Sequence, residues 1–322
     1  MKTFLLNLCK FCLLLLPFLA MPYIVCLFVI DETIGETIMG QQRVKIDCLA
    51  KATSPKIVFV GGSGCSHGIN TRTVEKRFGM PVINMGLHAG MGLAYQLQSI
   101  CPYIRSGDYV FIVPEYGNFS CCLGGQETLN VVCDVCPVEK RKLDVMQWRH
   151  LFAYMPAYGM AKIRRILKGK IKRAIGLQKT NRMRDWAYLY NEFGDMTNSW
   201  FDVRTKPFKA DKGKSVDTLG EDCFNRIRRF MNMHSDAHVF MVPPAYQDLS
   251  FDNNVEYIRA IEEALKRNHM PFIASPDRYK MKTNEHWDTS YHLNGKGISV
   301  RTERIIEDVW KVIGRGCQSE KL

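Results

Sequence analysis

KIVFVGGSGCSHGIN, Lys56–Asn70, decides how this chain is to be read. Its apolar core, Ile57–Val60, is β-branched and aromatic, the composition of a buried strand. The run stops at Gly61-Gly62, and Ser63 follows. A serine at the carboxyl end of a strand, on a glycine-permitted turn, is where an α/β protein keeps a nucleophile or cradles a ligand. The stretch lacks a Gly-Lys-Ser/Thr ending, so it is no Walker-type phosphate loop. Gly64-Cys65-Ser66-His67-Gly68 does fit the G-x-S-x-G pattern of a nucleophile elbow, which makes Ser66 a competitor of Ser63. An elbow normally follows several strands, and this one would sit on the first, so Ser63 is preferred over Ser66 and over Cys65.

Outward from that strand the pattern is regular. The sequence predicts a helix over Thr71–Phe78, a strand at Val82–Asn84, a helix from about Gly90 to Ile104 and a strand at Tyr109–Val113. Strands alternating with helices at this spacing imply a parallel sheet with crossover helices. From 137 to 216 a basic insertion interrupts the pattern. Within it, AKIRRILKGKIKRAIG (Ala161–Gly176) places Ile163, Ile166, Leu167, Ile171, Ala174 and Ile175 on one helical face and Lys and Arg on the rest. Such a helix lies on an anionic membrane or packs on the domain with a solvated basic face. The aromatic remainder of the insertion reads as a lid. The α/β pattern then resumes with helix Cys223–Met231, strand Val239–Val242, helix Val255–Asn268, strand Phe272–Ala274 and a closing helix Gly297–Ile313. The expected organisation is an anchor (1–30), a tether with a first helix (31–55), an α/β domain in two parts (56–136 and 217–316) around the insertion, and a tail (317–322).

The anchor is FCLLLLPFLAMPYIVCLFVI, Phe11–Ile30, an uncharged run of the roughly 20 residues that cross a bilayer core as a helix. Lys2 and Lys10 precede it and Asp31, Glu32 and Glu36 follow, so the bulk of the chain is expected outside the cytoplasm. A cleaved signal peptide is the competing reading, but the apolar core is long and no small-x-small site follows cleanly. A lipoprotein cysteine at Cys26 is disfavoured by bulky Ile24-Val25.

Across 322 residues the net charge is +12. With no nucleic-acid module in the sequence, the basic excess points to anionic lipid or an acidic glycan as neighbour. Of 12 cysteines, Cys121, Cys122, Cys133 and Cys136 cluster after one strand. Adjacent Cys121-Cys122 is poor spacing for a zinc site, which leaves disulfides or buried free thiols.

Serine is a weak nucleophile and needs a base held by a third group. WDTSYHLNGKG near the other end offers His292, with Asp288 four positions earlier; His286 is a fallback base. The two ends of a doubly wound sheet can meet at the carboxyl edge of its strands. Backbone N–H groups at Ser63 and Gly86, with the Asn118 amide, would supply an oxyanion hole. His67 and His88 flank the site as substrate-binding or structural histidines, and Glu115 reads as a salt-bridge partner.

These blocks resemble the SGNH (GDSL-type) hydrolases. VGGS resembles the family's first block, with Gly62 where an Asp is usual. NMGLHAG (Gly86) resembles the second, VPEYGNF (Asn118) the third, and DTSYHLNGKG, followed by RTERII (Arg301–Ile306), the last. The resemblance covers about two-thirds of the chain. It implies an α/β, doubly wound, mostly parallel sheet of flavodoxin-like three-layer type. It also implies Ser63–His292–Asp288 catalysis without metal or cofactor, with Gly86, Asn118 and His88 binding the oxyanion or substrate. Membrane-anchored relatives accompany membrane-bound O-acyltransferases and place or remove acyl groups on cell-surface glycans. The expected activity is therefore an esterase or O-acyltransferase on an acylated extracytoplasmic glycan. The alternative is an inactive scaffold that binds glycan or a membrane-bound acyltransferase. Membrane lipid is an expected partner in both cases, and nucleic acid in neither.

Overall fold

The computed structural model describes residues 2–177, 189–201 and 209–319. Parts of the expected lid (178–188 and 202–208) and of the tail (320–322) lie outside the described residues. The centre is a parallel sheet of β1 (Ile57–Gly61), β2 (Val82–Asn84), β3 (Tyr109–Val113) and β4 (His238–Met241), in the order β2-β1-β3-β4. Phe272 adds one parallel bridge to Met241, which is all that forms of the expected strand Phe272–Ala274. A separate parallel pair, β5 (Tyr246–Gln247) and β6 (Lys280–Met281), was not legible in the sequence.

The two central strands, β1 and β3, are apolar along their length because both faces are covered. Val58, Val60, Val110 and Ile112 point into one hydrophobic cluster, and Ile57, Phe59, Phe111 and Val113 into another on the opposite face. The Phe111 ring stacks between Phe59 and Phe240, with centroids 5.3 and 5.5 Å away. The polar start of the sheet is pinned by Lys56 Nζ and Asp108 Oδ2, 2.5 Å apart and both fully buried.

Helices α1 (Lys2–Phe28), α2 (Gln41–Lys51), α3 (Ser63–Ser66), α4 (Thr71–Phe78) and α5 (Leu93–Ile100) precede the insertion. Its longer helices are α6 (Val145–Phe152) and α7 (Met155–Ala174), and the longer helices α8 (Glu221–Met233), α9 (Val255–Arg267) and α10 (Gly295–Ser319) follow. Local chemistry sets their ends. Asn70 caps α4 by accepting from Thr73 N, and Gly79, at φ +66, closes it by donating to the Glu75 carbonyl. Asp144 and Gln147 form a reciprocal capping box at the start of α6.

The segment expected as a tether is folded onto the domain. Ile34, Met39, Ile46 and Leu49 join the core. Lys45 of α2 is buried and donates to the Asn84 carbonyl at 2.8 Å, and burial lowers its ammonium to about pKa 8. The expected first helix is present as α2, but the polar composition of Asp31–Pro55 gave no sign that it docks on the core with an apolar face and a buried cation.

α1 is apolar and long enough to cross a membrane by length and composition. Residues 2–21 are exposed, whereas Pro22 and Cys26 are buried against α7. Gly159 makes that contact possible, since a Cβ there would stand 1.9 Å from the Pro22 carbonyl oxygen. Lys162 Nζ caps the end of α1 by donating to the Cys26 and Val29 carbonyls at 3.0 and 2.8 Å, and pairs with Asp134 Oδ1 at 2.8 Å. Arg165 pairs with Asp31 at 2.7 Å. The basic helix of the insertion thus divides in two. Its first half docks on α1, and beyond Arg165 it exposes Leu167, Ile171 and Ile175 among lysines.

Eleven cysteines are free thiols among the described residues. Contacts within the expected Cys121–Cys136 cluster give way to distant ones: Cys133 is hydrogen-bonded to Cys26, and Cys122 to Cys223.

Candidate active site

The strand order reverses direction between β1 and β3, and ligands of open α/β sheets collect at the carboxyl ends of the strands beside such a reversal. Ser63 opens α3 directly after β1, and Glu115 follows β3. The two meet. Ser63 Oγ donates to Glu115 Oε1 at 3.2 Å, and Gly64 N–H donates to the same oxygen at 2.9 Å. Among the described residues Glu115 makes no salt bridge, so its expected role as an ion-pair partner is replaced by this contact.

The glycine before the serine is explained by the same carboxylate. A Cβ at Gly62 would lie 2.5 Å from Glu115 Oε1 and 2.9 Å from the Ala89 Cβ. The acid that the resemblance places before the serine has no room here; a carboxylate arrives instead from the end of β3. Gly62→Asp is expected to cost about 1–3 kcal/mol through overpacking, read as a lowered Tm.

His292 lies on the loop before α10, with Nδ1 2.8 Å from Asp288 Oδ1. Its backbone N–H donates to Thr289 Oγ1 at 3.1 Å, which fixes the loop. The His292 ring stacks on His67 at 4.1 Å, with the planes 16° apart, and His67 stacks in turn on Trp287. The His67 backbone N–H donates to the Ser63 carbonyl at 2.9 Å. His67 therefore stands between the serine turn and the His–Asp pair, and ties both to the end of β1. Burial, and secondarily the nearby His292, lowers the His67 pKa, so it packs as a neutral ring. Among the described residues no hydrogen bond joins Ser63 Oγ to His292.

The remaining sequence candidates separate. Ser66 is fully buried and donates to the Ser63 carbonyl at 3.1 Å. The Cys65 thiol is buried against Asn84 Oδ1 and pushed up to about pKa 12 by burial. Neither is presented for attack. Gly86 N–H is already donated to Asn84 Oδ1 at 2.9 Å, and a Cβ at Gly86 would strike Cys65 and the Ser66 nitrogen. That glycine lets α3 close on the end of β2, and its N–H is not turned toward a ligand. Asn118 Oδ1 accepts from Glu115 N–H at 3.1 Å, while its Nδ2 donates to the Ala89 carbonyl at 3.3 Å. His88 Nδ1 accepts from Gly90 N–H. Asn118 and His88 thus hold the loops that flank the serine.

Arg301 was visible only as part of the last block. It is fully buried, and its Nη1 donates to the Gly64 carbonyl at 2.8 Å. Gly68 leaves the space, because a Cβ there would sit 2.0 Å from that nitrogen. Nε and Nη2 have no partner among the described residues. A buried guanidinium thus lies beneath the serine turn. The fallback base His286 is also fully buried, and burial lowers it to about pKa 4.

That shift makes stability pH-dependent. The unfolded chain protonates His286 near its ordinary 6.5, while the folded protein resists until about 4, so the unfolded state binds more protons in between. Stability is expected to fall by about 3 kcal/mol from pH 6.5 to pH 4 on this account. Urea unfolding of the detergent-solubilised protein across that range measures it, and His286→Gln should flatten the slope.

A cleft of ≈ 810 Å³ meets the serine turn at Glu115 and Tyr291, with Asn118, Tyr154, Lys212 and Lys214 on its walls. Its walls carry charges of both signs, and no group of three or more His, Cys, Asp or Glu placed to hold a metal occurs among the described residues. Fold and site together define an α/β protein with a parallel sheet, an N-terminal apolar helix and a Ser–Glu contact beside a His–Asp pair. No family model matches the chain, and no curated protein or solved structure matches it either.

Proposed function

We propose that this protein is a membrane-anchored, SGNH-like serine esterase or O-acyltransferase of doubly wound type. Its substrate would be an acyl ester of an extracytoplasmic glycan. The observation that carries the reading is the 2.8 Å His292–Asp288 pair, stacked through His67 onto the turn that presents Ser63. Ser63 Oγ attacks the acyl carbonyl, His292 Nε2 takes the proton and Asp288 holds the imidazole by its Nδ1–H. Water as the second nucleophile gives an esterase, and a sugar hydroxyl gives a transferase. The hydroxyl must first rotate away from Glu115, at a cost of about 1.5–3 kcal/mol for a hydrogen bond to a charged group. The docking of Pro22–Val29 on α7 favours retention of α1 as an anchor, because cleavage would uncover Lys162 and Cys133. Lys2 and Lys10, on the N-terminal side of the apolar run, favour a cytoplasmic N-terminus and so an extracytoplasmic body.

A second reading rests on the Ser63–Glu115 contact, in which Glu115 itself is the base. Reaction with a fluorophosphonate probe separates the two. Labelling lost in Ser63→Ala and His292→Ala but kept in Glu115→Gln supports the His–Asp mechanism; the converse pattern for the last two moves the base to Glu115. An unlabelled, well-folded wild type supports a non-catalytic scaffold that binds glycan or a membrane-bound acyltransferase.

A further inference from the structure

We propose that the corner between α6 and α7, Phe152–Met160, is immersed in the outer leaflet of the bilayer beside α1. The inference rests on α1 being a retained anchor. Its starting point is a length mismatch. Above Lys10, the part of α1 that stands free of the domain is Phe11–Met21, eleven residues or about 16 Å of helix. The hydrocarbon core is about 30 Å thick. The missing thickness has to come from Pro22 onward, where α1 is already packed against the domain, or from drawing the Lys10 charge toward the bilayer centre.

The surface at that level is apolar. α1 exposes Ile24 at 52% and Phe28 at 78% there, and Ile30, two residues past its end, is 54% exposed, a set of large side chains that water would penalise. The domain contributes a matching set. Leu151–Ala161, LFAYMPAYGMA, contains no charged residue, and Phe152, Ala153, Tyr154, Ala157 and Met160 are exposed along it. Phe152 stacks on Tyr23 of α1 at 4.6 Å. The two helices run parallel, since Gly159 meets Pro22, Lys162 meets Cys26 and Arg165 meets Asp31. The start of α7 therefore lies level with α1 residues below Pro22, inside the apolar zone.

Charge sets the upper limit. Lys162, Asp134, Asp31 and Arg165 form a compact ionic group at the end of α1, and exposed Arg164 and Lys168 follow within a turn. These residues fit the headgroup region, where basic side chains gain from anionic lipid. The aromatic Phe152, Tyr154 and Tyr23 fit the interface just below it. Tyr154 also lines the cleft that meets Glu115, so immersion holds the mouth of that cleft at the membrane surface. The substrate would then be presented at the bilayer plane.

Hydroxyl-radical footprinting of the full-length protein in phosphatidylglycerol-containing nanodiscs tests this. Trp310, exposed on α10 over the opposite face of the sheet, is the internal reference. The expected result is loss of oxidation at Phe152, Tyr154 and Met160, together with Phe11 and Phe18, while Trp310 is oxidised freely. Protection of Phe11 and Phe18 with free oxidation of Phe152, Tyr154 and Met160 would overturn immersion and leave the anchor standing. Free oxidation of both sets would remove the anchor and the immersion together. Phe152→Glu with Met160→Glu, both on exposed positions, should restore labelling at Tyr154 in the same nanodiscs.

Discussion

Replacing His292 with alanine is expected to lower kcat/KM for a chromogenic acyl ester by about 10⁴-fold, with Ser63→Ala at least as severe. The magnitude follows from the work asked of the imidazole. Without a base, Ser63 attacks as a neutral hydroxyl at physiological pH, and the proton it must lose has no nearby acceptor except Glu115. Asp288→Asn should produce a smaller loss, because Thr289 still fixes the His292 backbone while the imidazole loses its charged orienting partner. Folding should survive all three changes. Ser63, Asp288 and His292 are only partly buried, and the backbone hydrogen bonds around them do not pass through their side chains. Unchanged urea midpoints beside the lost rate would assign the effect to chemistry. A His292→Ala enzyme that keeps its rate would remove the His–Asp pair from the mechanism. A concurrent collapse in Glu115→Gln would then place the base there.

Much of the scaffold was legible because its signals are local. Ile57–Val60, Val82–Asn84 and Tyr109–Val113 are short β-branched or apolar runs bounded by turn residues, and Thr71–Phe78 is bracketed by an asparagine cap and a glycine stop. The closeness of Asp288 and His292 was equally local, being four positions apart on one loop. What escaped was non-local. Gly62 read as a missing acid, and only the arrival of Glu115 from β3 shows what occupies the space. Gly86 and Asn118 sit where a resemblance would put oxyanion donors. Their hydrogen bonds to Asn84 and Ala89 depend on loops that no short window of sequence describes. Asp31–Pro55 read as a tether because polar residues dominate it. Lys45 and Gln42 are nonetheless buried there, with the Lys45 ammonium satisfied by the carbonyls of Asn84 and Gly194. Single-sequence periodicity weighs a buried lysine as solvent-facing, which is the wrong sign wherever a distant carbonyl receives it.

The same physics governs how α1 is held, and the ion pair there should dominate the stability of the full-length protein. Asp134→Ala is expected to destabilise it by about 3–5 kcal/mol, measured by urea unfolding in detergent, because it leaves Lys162 buried without its anion. The carboxylate also accepts from Asp31 N–H at 2.7 Å and from the Tyr158 hydroxyl, and both donors would lose their partner. Lys162→Met should cost a comparable amount, since it strands Asp134 and uncaps the Cys26 and Val29 carbonyls at the end of α1. The double variant Asp134→Ala/Lys162→Met should be milder than the sum of its two singles, because it removes both stranded charges at once. If the singles were near neutral, the end of α1 would not be docked as the Gly159–Pro22 and Lys162–Cys26 contacts require. The rigid link between the apolar helix and the α/β domain would then be lost. Intermediate losses that add exactly in the double variant would mean that the two side chains are held by other partners and not by each other. A large coupling between them is therefore the specific signature expected of a helix fixed to the domain by a buried charge pair.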